Sequence, residues 1–258
     1  MRFLKQKTAG EVEEADRLML IGLHTCGDLA PSVLRAFAQL RNIKALCAVG
    51  CCYNLLSERC DCVGGHEGAE EKSESSDFGF PMTAHVAARV PGLGRNPLNL
   101  AANTNHHSCW GQGIQPEEVH NMYRSAFQVL WIRKLQELAR PELRAEKVVV
   151  GKIAKRCSNF LEYVRKAQTR LQIPLETLSE SEILECWDEC VARLPEMRRV
   201  QALKALLARA IESLVLQDRL LYLLSTPGIS EAVVMPLFDP EISPRSFAIV
   251  AIRETVLP

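Results

Sequence analysis

Two short runs near the start of this 258-residue chain gather side chains that could do chemistry: His24-Thr25-Cys26-Gly27-Asp28 and Cys51-Cys52-Tyr53-Asn54. His24 can exchange a proton near neutral pH or orient a substrate amine. Asp28 can accept a hydrogen bond from a substrate, or cap a helix whose first turn would hold Pro31. Tyr53 offers a ring for stacking on a base, or equally a core ring with its hydroxyl at the rim. Asn54 brings an amide that can hold an amine. Cys47, Cys51 and Cys52 read as small buried hydrophobes, and no metal is expected. Cys60-x-Cys62 with His66 and Cys51-Cys52 could supply zinc ligands, but structural zinc sites use paired Cys-x2–4-Cys knuckles, and the chain has one Cys-x-Cys.

Each run ends an apolar segment. Residues 18–24, "LMLIGLH", form a continuous apolar stretch, the pattern of a central parallel strand covered on both faces. Val33, Leu34, Phe37, Ala38 and Leu40 then recur at helical spacing. "IKALCAVGCCY" is the next buried strand, so residues 1–56 read as a right-handed βαβ unit. Residues 57–77 carry seven acids and two bases among glycines and serines, and read as a disordered acidic insertion. Residues 78–258 read as a helical region completed by a terminal hairpin. Helices are expected from Pro116 to about Leu138, with Val119, Met122, Tyr123, Ala126, Val129 and Leu130 on one side, from Asn159 to Leu171, over 180–193 and over 196–224. Asn159 and Glu162 suggest an imperfect capping box. "DPEISPRS" separates two β-rich runs and favours an antiparallel hairpin.

Lysine plus arginine and aspartate plus glutamate number 31 each, so whole-chain charge points to neither nucleic acid nor a membrane. Residues 133–170 are nevertheless basic, with eleven bases and four acids. Within them Lys152, Lys155 and Arg156 are candidate RNA contacts, and a solvated helix surface is the alternative. No apolar run is long enough for a membrane helix, and "MRFLKQKTAGEVEEADR" lacks the core of a signal peptide, so a cytoplasmic or nuclear location with reduced thiols is expected.

The order of elements resembles the S-adenosylmethionine-dependent class I methyltransferases. That implies an α/β fold: an incomplete class I methyltransferase (Rossmann-like) sheet with added helices and a C-terminal antiparallel hairpin. "GLHTCGDL", "VGCCYNLL", "GFPM", "DRLLYLL" and "PLFDPEISPR" together resemble the methyltransferase-like protein 25B family, also called the ribosomal RNA adenine dimethylase domain-containing protein 1 family. A more distant likeness is to tRNA 2′-O-methyltransferases with a His-x-Cys-Gly turn. On this resemblance the two apolar strands are the fourth and fifth of the fold, and ligands bind at their carboxyl ends.

The resemblance implies S-adenosylmethionine as cofactor, with Cys26 and Gly27 near it, and His24, Asp28, Tyr53 and Asn54 as catalytic candidates facing the acceptor. "CCYN" has an aromatic and an amide but lacks the prolines of the Asn/Asp-Pro-Pro-aromatic turn used by amino-group methyltransferases. The family's Gly-rich turn belongs to an earlier strand, and "KTAGEVEEAD" holds one glycine. The chain is therefore expected to be a carboxyl-terminal portion or short isoform, inactive or weak alone, with RNA or protein as acceptor. The alternative function is a non-catalytic interaction module, with a protein partner at an exposed sheet edge.

Overall fold

A computed structural model describes residues 18–58, 77–102, 116–137, 150–239, 242–243 and 245–253. Most of the expected acidic insertion, residues 59–76 with Cys60, Cys62 and His66, lies outside the described residues, as does the side chain of Lys152.

The chain forms two compact units, one of residues 1–106 with 204–258 and one of residues 107–203. In the first unit, strand β1 (Leu18–Cys26) runs parallel to β2 (Ile43–Cys51), connected by helix α1 (Leu29–Gln39). Short helices α2 (Ala84–Ala87) and α3 (Arg95–Ala102) follow. The sheet is completed by β3 (Ile229–Pro236) and β4 (Phe247–Arg253), and β4 inserts antiparallel between β2 and β3 to give the order β1-β2-β4-β3. The fold class is α/β with a mixed sheet, as the alternation of patterns implied.

The core explains the register. Val33, Leu34 and Phe37 of α1 pack on Leu20, Leu46, Ile249 and Ala251 of the sheet. A shift of one residue in any strand would turn these apolar groups to the opposite face. The end of α1 is held from far away in sequence: the buried Arg253 guanidinium donates to the carbonyls of Phe37, Ala38 and Ile43. It satisfies acceptors that a helix end leaves open and complements the negative end of the helix dipole.

Two expectations are corrected. β1 is an edge strand of the described sheet rather than a central one, and Met19, Ile21 and Leu23 are 56%, 69% and 59% exposed along one face. Nor does Asp28 cap α1: its backbone is already helical, and its side chain makes no capping hydrogen bond.

The second unit packs α4 (Pro116–Glu137), a 3-10 turn (Gly151–Arg156), α5 (Phe160–Leu171), α6 (Glu180–Ala192) and the start of α7 (Leu194–Leu224). Tyr123, Phe127, Phe160, Tyr163 and Cys186 lie in its core, and Phe160 stacks on Trp187 with centroids 5.0 Å apart. Met122, Tyr123, Ala126 and Leu130 of the expected α4 stripe are buried, whereas Val129 is exposed. Asn159 caps α5, accepting from the Glu162 amide at 2.8 Å, while the Glu162 carboxylate turns back one residue further, to the amide and hydroxyl of Ser158. α6 carries the reciprocal capping box, between Ser179 and Glu182.

Candidate functional site

Parallel pairing brings the two reactive runs together. Thr25 lies opposite Gly50 and Cys26 opposite Cys51. The Gly27 amide donates to the Cys51 carbonyl at 3.1 Å, and the buried Thr25 hydroxyl donates to the Val49 carbonyl at 2.8 Å. The register shifts between Gly22 and Thr25, and inside that irregularity His24 sits at φ 59°. A left-handed residue other than glycine, on a bulge at a strand end, is a frequent companion of functional sites. His24 is exposed, which leaves its imidazole accessible to an incoming group.

Cys26, Cys51 and Cys52 form a cluster. The Sγ atoms of Cys26 and Cys51 are 2.9 Å apart, and all three sulfurs lie within 4.8 Å of one another. Cys26 is exposed, Cys52 half-buried and Cys51 buried. Burial, reinforced by the two neighbouring thiols, pushes the Cys51 thiol up to about 12. Cys52 turns left-handed, at φ 50° and ψ 52°, as it leads into the 3-10 turn Tyr53–Leu55. Sequence reasoning treated Cys51 and Cys52 as packing residues, because their third partner comes only from the strand register.

Asp28 and Gly27 serve the local architecture. Asp28 Oδ1 accepts the Ser57 amide at 2.8 Å, tying the chain beyond Tyr53–Leu55 back to the first turn. A Cβ on Gly79 would come within 2.0 Å of that carboxylate, so glycine is required there. Gly27 is left-handed at φ 49°, and a Cβ on it would meet Leu55 backbone and side chain at 2.7 Å.

Tyr53 is 1% exposed, which corrects its reading as a stacking platform open to an incoming base. Its hydroxyl donates to Glu212 Oε1 at 3.2 Å, and the Arg219 and Arg245 guanidiniums lie 5.6 and 5.8 Å from its ring centroid. Burial and then Glu212 raise the tyrosine well above its ordinary value. Burial also raises Glu212, with the Tyr53 hydrogen bond acting against it. Asn54 is half-buried on the same turn.

Arg219 was missed in the sequence. It is fully buried, its Nε and Nη2 atoms have no hydrogen-bond partner, and desolvation lowers its proton affinity. Its Nη1 would lie 2.6 Å from a Cβ on Gly50, so glycine there admits the guanidinium against the strand backbone. Neighbouring Asp218 accepts the Met82 amide at 2.6 Å and the Thr83 amide and hydroxyl at 3.0 and 2.7 Å. A signal existed: Glu212 and Arg219 fall at helical spacing with the buried Ala208, Val215 and Leu223 of α7.

The proposed RNA-contacting residues lie in the other unit, where Lys155 and Arg156 are exposed on the 3-10 turn. Much of the surrounding positive charge is paired. Arg133 meets Glu189 at 2.7 Å, Lys134 meets Glu182 at 2.6 Å and Lys166 meets Glu162 at 2.6 Å. These partners hold the Glu182 and Glu162 carboxyls down to about 2.

Groups that could cradle a nucleoside are engaged internally: the Gly27 amide with Cys51, Asp28 Oδ1 with Ser57, and the Tyr53 hydroxyl with Glu212. The described residues do not by themselves fit around S-adenosylmethionine. None of their helices is long and apolar enough to cross a membrane.

Residues 1–59 match the model of a methyltransferase domain. The chain is 35% identical over 243 residues to the probable methyltransferase-like protein 25 of Mus musculus, an alignment covering 94% of this chain and 38% of that protein. It is 34% identical to the probable methyltransferase-like protein 25 of Homo sapiens over the same shares. The chain thus spans well under half the length of these relatives. No solved structure matches.

Proposed function

We propose that this chain, which belongs to the methyltransferase-like protein 25 family, supplies the acceptor-side half of an S-adenosylmethionine-dependent methyltransferase site. The observation that carries this reading is the sheet order β1-β2-β4-β3, with the carboxyl ends of parallel β1 and β2 meeting at residues 24–28 and 51–54. Ligands of open α/β sheets bind outside such ends. The edge of β1 is where further strands of the family's sheet would pair, and its exposed face is where helices would pack.

S-adenosylmethionine, when bound, would supply the methyl group. The residues here position the acceptor: His24, exposed on its bulge, can orient an acceptor amine or take its proton, and Asn54 can hold it by hydrogen bonding. Tyr53, locked beneath, keeps the 51–54 turn in place. RNA is the favoured acceptor, on the exposed Lys155 and Arg156.

Titration calorimetry of the 258-residue chain with S-adenosylmethionine tests the half-site reading. Weak or undetectable binding is expected, and tight binding by this chain alone would refute it. For RNA, Lys155→Glu with Arg156→Glu should weaken binding and lower the slope of log affinity against log salt by about 2, roughly one per contact. An unchanged slope removes RNA from consideration at this turn.

One observation favours a second reading, an interaction module. Among the described residues β1 offers an unpaired edge beside the exposed Met19, Ile21 and Leu23, the geometry to which an extended peptide adds as a further strand. Ile21→Lys should then abolish association while leaving the circular dichroism spectrum intact, and association that survives the charge excludes β1 as the docking edge.

A further inference from the structure

The three thiols at the ends of β1 and β2 come from different parts of the chain, and three features of their surroundings bear on what they do. Their mutual distances, within 4.8 Å, bracket the ~3.8 Å between sulfurs bound tetrahedrally to one zinc ion at ~2.3 Å. Cys26 and Cys51, at 2.9 Å, need move apart by only about one ångström. Access is also present, since Cys26 is exposed and Cys52 half-buried beside the buried Cys51.

The third feature is charge. Arg219 is fully buried, has two unpartnered nitrogens, and packs against the backbone of Gly50, the residue before Cys51. The Asp218 and Asp28 carboxylates and the Cys51 thiol all act on it electrostatically, yet none gives those two nitrogens a hydrogen bond. Three neutral thiols add no charge to this set. Three thiolates around a divalent cation carry a net charge of −1, which the guanidinium beside Gly50 would help to balance.

We propose that Cys26, Cys51 and Cys52 form a binding site for one thiophilic divalent cation, Zn2+, with Arg219 as its buried counter-charge. Three Zn–S bonds form as three S–H bonds break, and the three protons leave to solvent. Three protein ligands leave the fourth tetrahedral position open to water or another donor, the arrangement of a zinc site that binds ligands rather than one closed for structure alone. His24, exposed on the adjacent bulge, stands on the solvent side of the same turn. The site stands whether or not the methyl-transfer reading does.

The test uses the whole 258-residue chain, reduced, stripped of metal, and titrated with Zn2+ against a chromophoric chelator. Co2+ is then substituted to reveal thiolate-to-metal charge-transfer bands. One equivalent of Zn2+ is expected, and binding should persist when Cys60, Cys62 and Cys109 are all changed to serine. In that background Cys26→Ser, at an exposed position where folding is retained, should weaken binding by more than about 100-fold, beyond the cost of losing an outer partner. Cys52→Ser should do the same, and Arg219→Met should weaken it by about 10–100-fold. The assignment is overturned if binding vanishes in the background chain or survives both Cys26→Ser and Cys52→Ser. A Cys26–Cys51 disulfide in protein prepared without reductant, with no Zn2+ uptake after reduction, also overturns it. Unchanged affinity in Arg219→Met removes the charge pairing on which it rests.

Discussion

Replacing Arg219 by methionine should stabilise the metal-free protein, although it deletes one of the largest fully buried side chains. Two of its nitrogens are buried without partners, and each unsatisfied donor costs about 1–3 kcal/mol. Against this stand the cation–π contact with Tyr53, 5.6 Å from the ring centroid, which contributes about 0.5–2 kcal/mol, and the attraction of the Asp218 and Asp28 carboxylates. Methionine fills most of the same volume and adapts its shape. The balance is a gain of up to about 4 kcal/mol, in line with the neutral-to-stabilising outcome when buried ion pairs are replaced by apolar groups. Described tryptophans 131 and 187 both lie in the other unit, so their fluorescence does not isolate the relevant transition. Native-state hydrogen exchange of the β2 amides does, and these should exchange more slowly in Arg219→Met. Exchange about thirtyfold faster, a loss of about 2 kcal/mol, would mean that the guanidinium is productively paired in the metal-free fold. The charge argument for the thiol site would then lose its premise.

Gly27→Ala forces a Cβ into a left-handed position and against Leu55 at 2.7 Å, so a loss of at least about 2 kcal/mol is expected in urea unfolding. A loss below about 0.5 kcal/mol would show that the 53–55 turn yields freely. Lys134→Ala should act through pH. Its partner Glu182 is held from an ordinary 4.5 down to about 2, first by Lys134 and then by Ser179. A depressed carboxyl contributes stability above pH 4.5 that is lost as pH falls through about 2. The deficit of Lys134→Ala should therefore be full at pH 7 and shrink on acidification across that window, and a deficit independent of pH contradicts the pairing.

Much of the fold was legible because apolar period and turn chemistry are local. The 3.6-residue stripe in α1, the capping of α5 by Asn159, and the two β-rich runs flanking "DPEISPRS" each declare their element within about a dozen residues. β1 misled for the same reason. A continuous apolar run records that both faces are suited to burial, and says nothing about which neighbours cover them. The candidate site was legible in its parts and not in its joins. Cys26 meets Cys51 because the register sets Thr25 opposite Gly50. Asp28 reads as a helix cap until the fold presents it with the Ser57 amide, 29 positions later. Arg219 could be suspected only from a charge on the buried stripe of α7, and which backbone it would approach depended on Gly50.

The hold of Arg253 on the carbonyls of Phe37, Ala38 and Ile43 reaches across more than 200 residues of chain. β4, which occupies the edge of β2, comes equally late. While the ribosome is still building the intervening helices, α1 lacks its latch and β2 has β1 on one side but nothing on the other. The apolar surface that β4 covers must wait until β4 has been made.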